Sequence, residues 1–147
     1  MDQKLPLFND LSRRDLRSLI FHILYIADCY DYQMSIDAII DNINRGFDFD
    51  IPMDSEVVKT AAAIIEQRET LDENYKPFLA HWRLERLSIV TKLILRYGVW
   101  ELANSDLEAT IIINEAVELA KCFAEDDAFK FINGVLDEAA KHQNKAE

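Results

Sequence analysis

The chain has 147 residues, of which 50% are hydrophobic, and it contains only three Gly and three Pro. This length suits one domain with a buried core, the apolar content excludes a disordered chain, and the scarcity of turn-forming residues favours helices over sheets. The formal net charge of −11 argues against a nonspecific nucleic-acid binder, because phosphate contacts need Lys and Arg.

The first two predicted helices begin at serines. Ser12 is placed to cap a helix that runs to about Cys29, and Ser35 is placed to cap a second one. Gly46 can end the second helix, since glycine readily adopts the left-handed conformation found after helix ends. The second helix has an apolar face formed by Ile36, Ile39, Ile40 and Ile43.

The middle of the chain contains a loop and a third helix. Asp54 is expected to cap a helix that continues to Arg68. Pro77 then starts or interrupts a short helix, because proline suits a first turn. From about Leu84, apolar residues at helical spacing predict another helix, which ends before a turn at 104–106.

Two further helices are expected at the C-terminal end, over about 113–123 and 127–141. Asn114 is a candidate cap for the first of them. Gly134 lies inside the last helix, where glycine costs about 1 kcal/mol relative to alanine, and close contact with another helix is a plausible compensation. The sequence therefore predicts an all-α fold, a compact bundle of six or seven helices.

Several function classes find no support in the sequence. His22, His81 and His142 are dispersed without metal-ligand spacing, and no Gly-rich phosphate loop or Ser, His and Asp arrangement is evident. We therefore expect no enzyme, no cofactor and no metal. Cys29 and Cys122 are expected to be reduced core residues.

The expected location is the cytoplasm. Residues 1–6 lack the apolar region of a signal peptide, and no apolar run approaches the roughly 20 residues that span a bilayer. The sequence thus favours a soluble protein without a membrane partner.

Several segments together resemble the NusB transcription-antitermination family. The C-terminal strings are similar to the family's signature segments, and upstream segments resemble its preceding helix and its arginine-rich first helix. The resemblance spans roughly 12–141 and is weak over 31–75. The matching segments are 113–121 (INEAVELAK), 130–137 (KFINGVLD), 82–87 (WRLERL), 94–96 with 101–102, and Arg13, Arg14, Arg17, Leu24 and Tyr25.

The resemblance implies two packed helical subdomains and a role in the transcription of ribosomal RNA operons. Members of the family pair with the ribosomal protein NusE and bind a single-stranded RNA element called boxA. The complex joins RNA polymerase together with NusA and NusG, and members also assist ribosomal RNA maturation. On this basis 12–141 is the binding domain, 1–11 is a flexible extension and 142–147 is a tail.

An RNA surface is expected on the first helix. Arg14, Arg17, Phe21 and Tyr25 fall on one stripe, where guanidinium groups can grip phosphates and rings can stack on unpaired bases. The alternative is a solvated helix start with two aromatic residues at the edge of the core. The family resemblance favours RNA binding by Arg13, Arg14 and Arg17, and it puts Tyr25 near both RNA and NusE.

The resemblance also implies a second RNA surface at the start of the last helix, formed by Asp127, Lys130 and Phe131. Asp127 can accept from a base amino group and Phe131 can stack on a base, although a cap and a core residue are the alternatives. Thr91 and Lys92 are the expected contacts with NusE.

The chain departs from the family at four places. Asp15 interrupts the arginine cluster, Thr91 replaces an acidic residue that meets NusE, and Ala124 and Ala128 replace a glycine and a serine. With the acidic charge, these departures keep open a protein-only module, such as a homodimer, that has lost RNA binding. A third possibility is the substrate-binding module of an RNA cytosine methyltransferase, which does not methylate by itself.

Overall fold

The computed structural model describes residues 8–145, which contain seven α-helices, three short 3-10 helices and no strand. The predicted all-α class is therefore confirmed. Part of the expected N-terminal extension, 1–7, lies outside the described residues. The helices are α1 (Arg13–Cys29), α2 (Ile36–Phe47), α3 (Glu56–Glu66), α4 (Arg68–Tyr75), α5 (Ile89–Asn104), α6 (Ala109–Phe123) and α7 (Ala128–Lys145).

The chain divides into two compact units between Glu66 and Gln67. In the first unit, α1 packs against α2 and α3. In the second unit, α5 packs against α4, α6 and α7, and α6 packs against α7. The last helix continues to Lys145, into the segment expected to be a tail.

The serine caps of the first unit are confirmed. Ser12 and Asp15 form a capping box, in which each side chain accepts from the other residue's backbone N–H. Ser35 accepts from the backbone N–H of Ala38. The predicted end of α2 at Gly46 is wrong, because the helix runs on to Phe47 and Asp48 takes the left-handed conformation, with φ 55°.

The predicted third helix corresponds to α3, with slightly different bounds, and α4 was not predicted. Helix α3 begins at Glu56, and the Ser55 hydroxyl, rather than Asp54, accepts from a backbone N–H of its first turn. Helix α3 ends at Glu66, and α4 begins at Arg68 after Gln67, whose φ and ψ of −94° and 10° leave the helical region.

Two predicted helix starts in the second unit are also wrong. Residues Leu84–Arg86 form a 3-10 turn, and α5 begins only after Ser88, whose hydroxyl accepts from the backbone N–H of Thr91. Helix α6 begins at Ala109, so Asn114 lies within it and caps nothing. Pro77 lies in the 3-10 helix Lys76–Phe78, which agrees with the short helix predicted at this proline.

A buried ion pair joins α4 to α5. The Arg96 guanidinium donates from Nε and one terminal nitrogen to the two Asp72 carboxylate oxygens, both at 2.8 Å. The Tyr75 hydroxyl donates to the same carboxylate at 2.7 Å. Burial and then this hydrogen bond raise the pKa of Tyr75 well above its usual value.

Helix–helix contact is close at Gly98 and not at Gly134. A Cβ atom at Gly98 on α5 would lie 2.8 Å from both terminal carbons of Leu136 on α7. Gly134 is exposed, and a Cβ there would meet nothing within 4 Å. The expectation of a packing role for Gly134 is therefore wrong.

Both cysteines are free and exposed, so the expectation that they are core residues is wrong. They lie near the C-terminal ends of their helices, Cys29 at the last residue of α1 and Cys122 one residue before the end of α6. The apolar residues next to each cysteine in the sequence suggested that the cysteines are buried, but both lie on exposed positions of their helices. No helix in the described part of the chain is long and apolar enough to cross a membrane.

Candidate nucleic-acid interface

Two arginines are accessible at the start of α1. Arg13 and Arg14 are exposed in the first turn, directly after the Ser12 cap. Asp15, which interrupts the arginine cluster, holds the capping box, and its carboxylate accepts from the Ser12 N–H at 3.4 Å. The backbone N–H groups at a helix N-terminus add partial positive charge beside these side chains. This end of α1 therefore favours an anionic ligand.

The predicted stripe along α1 is only partly accessible. Arg17 is 5% exposed and Phe21 is 3% exposed, whereas Tyr25 is 40% exposed. The Tyr25 ring lies beside Phe21 with centroids 6.3 Å apart and planes tilted by 32°. Only the two ends of the stripe, Arg14 and Tyr25, are therefore accessible, and they lie about 16 Å apart along the helix at 1.5 Å per residue.

The second unit contains a concave site at the start of α7, which we call the aromatic groove. It has a volume of about 280 Å³. Residues before and within the first turn of α5 form one side, and the α6–α7 turn forms the other. The lining residues are Trp82, Arg86, Leu87, Ser88, Thr91, Glu125, Asp126, Asp127, Ala128 and Phe131.

Two aromatic side chains, Trp82 and Phe131, line the groove. Trp82 is 59% exposed, and its ring meets Phe131 edge to face with centroids 6.1 Å apart. Arg86 is exposed on the same side. The exposed Trp82 ring, with the half-buried Phe131 ring beside it, offers a stacking surface to planar ligands.

The floor and the opposite wall of the groove are polar. Thr91 is 3% exposed, and its hydroxyl lies 3.1 Å from the Ser88 hydroxyl. The Ser88 hydroxyl also lies 3.4 Å from Glu125 Oε2. Asp127 has a φ of 70°, a left-handed conformation that Asp tolerates better than most residues, and it precedes α7 at the rim.

Lys130 contacts the other side of the α6–α7 turn. Its ammonium group lies 3.5 Å from Asp127 Oδ1 and 5.9 Å from the centre of the Phe129 ring. The Lys121 ammonium group lies 5.1 Å from the same ring. Phe129 therefore has two ammonium groups within 6 Å of its ring centre, and it does not line the groove.

The predicted site residues fall into separate sets. Thr91, Asp127 and Phe131 line the aromatic groove, although Thr91 lies 36 and 40 positions before the other two. Lys92 is half-buried in the first turn of α5. The arginines and Tyr25 belong to the first unit, on α1.

Trp82 and Arg86 line the groove but were not among the predicted site residues. A tryptophan beside several basic residues, in the segment WRLERL, was the available signal. Tryptophan is more often packed than exposed, so the signal does not separate the two outcomes without the structure.

The fold and these surfaces define an all-α protein with two candidate nucleic-acid-binding surfaces. Comparison with known proteins then identifies the family. The family model described as the NusB family matches residues 14–141. The chain therefore belongs to the NusB family of transcription antitermination proteins.

Individual relatives agree. The transcription antitermination protein NusB of Staphylococcus carnosus is 37% identical over 126 residues, which cover 86% of this chain and 97% of that protein. NusB of Staphylococcus aureus is 35% identical over 132 residues, which cover 89% of this chain and all of that protein.

Two solved structures have a similar fold. The structure of T. maritima NusB matches with a TM-score of 0.76 and 28% identity, covering 89% of this chain and 92% of that one. A chain in a structure titled as a plectonemic RNA supercoil matches with a TM-score of 0.77 and 24% identity, covering 92% and 98%. The second match supports the fold alone.

Proposed function

We propose that this protein acts in transcription antitermination by binding boxA-like single-stranded RNA together with the ribosomal protein NusE. The complex then joins the elongating RNA polymerase with NusA and NusG, in the cytoplasm, and the protein contributes binding and no catalysis. The observation that carries the proposal is the aromatic groove, in which Trp82 and Phe131 present rings beside carboxylates in a NusB-family fold.

In this proposal, α1 supplies affinity through phosphates. Arg13 and Arg14 are exposed at a helix N-terminus, where their charge and the helix dipole both favour an anion. Tyr25 offers an exposed ring about 16 Å from Arg14 along the axis of α1. Arg17 is buried, so we assign it to the support of this surface rather than to direct contact with the first phosphate.

The aromatic groove supplies discrimination between RNA sequences. Exposed bases stack on Trp82 and Phe131, and the carboxylates of Glu125 and Asp127 accept from base amino groups. The same carboxylates repel phosphates, so a strand enters this site with its bases. Lys130, beside Phe129, is placed to meet the phosphate of a neighbouring nucleotide.

The contact with NusE is proposed at Tyr25, Thr91 and Lys92. The Thr91 hydroxyl is uncharged, so it offers no salt bridge, and it lies 3.1 Å from the Ser88 hydroxyl within the cap of α5. Lys92 is half-buried and next in the chain, which makes it the more accessible of the two. The NusE contact of this protein therefore depends more on packing than on an ion pair at Thr91.

The test is fluorescence anisotropy of a labelled boxA RNA, titrated with the protein in the presence and absence of NusE. A scrambled RNA of the same composition is the control. We expect preference for boxA, stronger with NusE. Equal affinity for the two RNAs with NusE present would contradict the proposal.

A second function, a protein-only interaction module, is favoured by the burial of Arg17 and by three consecutive acidic residues at the groove, Glu125, Asp126 and Asp127. This alternative predicts binding to NusE with no contribution from RNA. It also predicts no dependence of that affinity on boxA, which the same titration measures.

A further inference from the structure

The first unit contains an apolar groove that none of the proposed RNA contacts uses. We propose that this groove, between α1 and the C-terminal end of α2, is a docking site for a basic amphipathic helix of a protein partner. It has a volume of about 410 Å³. The lining residues are Leu11, Asp15, Leu19, His22, Ile26, Ile43, Phe47 and Phe49.

The groove uses a different face of α1 from the arginine stripe. Asp15, Leu19, His22 and Ile26 recur at spacings of three and four, so they form one stripe along the helix. This stripe lies roughly 100° around the helix from the one that holds Arg14. A protein helix and an RNA strand can therefore occupy α1 at the same time.

The shape of the groove suits a helix. The stripe from Asp15 to Ile26 spans about 16 Å, or three helical turns. Apolar anchors at helical spacing in such a groove are how amphipathic helices are commonly recognised. A partner helix of about three turns would cover the stripe from end to end.

The far wall of the groove is preorganised. Phe47 is 59% exposed at the end of α2, and Phe49 follows it in the loop. The Asn44 side chain fixes this loop, because it accepts from the Ile51 N–H at 2.8 Å and donates to the Ile51 carbonyl at 3.3 Å. Since Ile51 is 2% exposed, the loop is anchored and the Phe47 ring remains in solvent.

Charge selects a basic occupant. Asp15 lines the groove, and exposed Asp10, Asp48 and Asp50 adjoin lining residues in the sequence. Of the basic residues, exposed Arg14 adjoins Asp15, and Arg45 on α2 pairs with Asp41 at 2.8 Å, so the four aspartates still outnumber the nearby arginines. A partner helix with leucines on one face and lysines beside them would meet these carboxylates, whereas a second copy of this acidic chain would be repelled.

The test uses a labelled synthetic peptide of about 14 residues, with leucines on one helical face and lysines on the other. We expect the intact protein to bind it at least tenfold more tightly than a scrambled peptide of the same composition. Replacing the lysines by glutamates should abolish binding.

Two matched variants localise the site. F47S removes an exposed ring from the groove, and Y30S removes a ring of similar exposure, 54%, that does not line it. F47S should weaken peptide binding about tenfold while Y30S leaves it unchanged, and boxA affinity should not change in either. Circular dichroism confirms that both variants are folded.

Three results would overturn the inference. They are equal binding of the scrambled or the glutamate peptide, equal loss in F47S and Y30S, and a self-associated protein that becomes monomeric in F47S. The last would identify a second copy as the occupant. Because the readout is a peptide, failure here leaves the RNA proposal intact, and failure of boxA binding leaves this inference intact.

Discussion

The two candidate RNA surfaces differ in the kinds of side chain that form them. The start of α1 presents arginines on a convex helix end, with the Ser12 and Asp15 capping box beneath them. The aromatic groove presents rings and carboxylates in a concave site, with the packed helices of the second unit behind it. The first surface therefore suits the recognition of phosphate charge, and the second suits the recognition of the shape and edges of bases.

Under the proposed function, this difference would explain how an acidic protein binds RNA. A chain with a net charge of −11 gains little from bulk attraction, so a few local cations must supply the phosphate contacts. The base contacts can then lie in an acidic environment, where hydrogen bonds to base amino groups are favoured. Two weak surfaces acting on one strand can give useful affinity.

The largest expected effect tests the interior of the second unit, where α4 meets α5. D72A removes the carboxylate that pairs with the buried Arg96 guanidinium, so we expect a loss of about 3–5 kcal/mol in the free energy of unfolding, measured by urea denaturation. The control is D41A, which breaks the exposed Arg45–Asp41 pair and should cost less than about 1 kcal/mol. Equal costs would show that the buried pair does not support α5.

A pair of glycine variants tests the packing of α5 on α7. G98A forces a methyl group against Leu136 and should cost about 1–3 kcal/mol. G134A meets open space and should stabilise the protein by up to about 1 kcal/mol, because alanine favours the helix. Thermal unfolding measures both. A neutral G98A would mean that Leu136 moves aside without cost.

Removing the groove rings should reduce discrimination between RNAs. W82A and F131A each lose stacking worth about 1–3 kcal/mol per base, so boxA affinity should fall roughly 5- to 150-fold, with a smaller loss for scrambled RNA. Y30A, at an exposed tyrosine outside the groove, is the control. Equal losses for boxA and scrambled RNA would contradict a role in discrimination.

The smallest effect is expected in the salt dependence. R13Q/R14Q removes the two proposed phosphate contacts, so the slope of log affinity against log salt should become shallower by about 1.4, at roughly 0.7 per phosphate for single strands. K59Q removes an exposed lysine on α3 and serves as the control. An unchanged slope in R13Q/R14Q would exclude these arginines as phosphate contacts.

Local signals predicted much of the fold. Ser12 and Ser35 cap α1 and α2 as expected, because a cap depends on residues within one turn. The predictions that Asn114 caps a helix and that Gly134 packs against one were wrong for the opposite reason. Whether a polar residue caps a helix or a glycine packs depends on where the helix starts and on its neighbours, and neither is local.

The sites were harder to predict than the helices. Sequence pattern put Arg17 on the same stripe as Arg14, but its burial depends on tertiary packing. Trp82 and Phe131 meet in the groove although they are 49 positions apart, and helical periodicity predicts contacts only within one helix. The family resemblance supplied Asp127 and Phe131, and the structure added Trp82 and Arg86.

The most direct test of a division between affinity and discrimination compares W82A/F131A with R13Q/R14Q. Binding of boxA and scrambled RNA is measured at two salt concentrations with NusE present. We predict that W82A/F131A loses the preference for boxA and keeps the salt slope, while R13Q/R14Q loses slope and keeps the preference. If both variants change both quantities equally, the two surfaces do not have separate roles and the account is wrong.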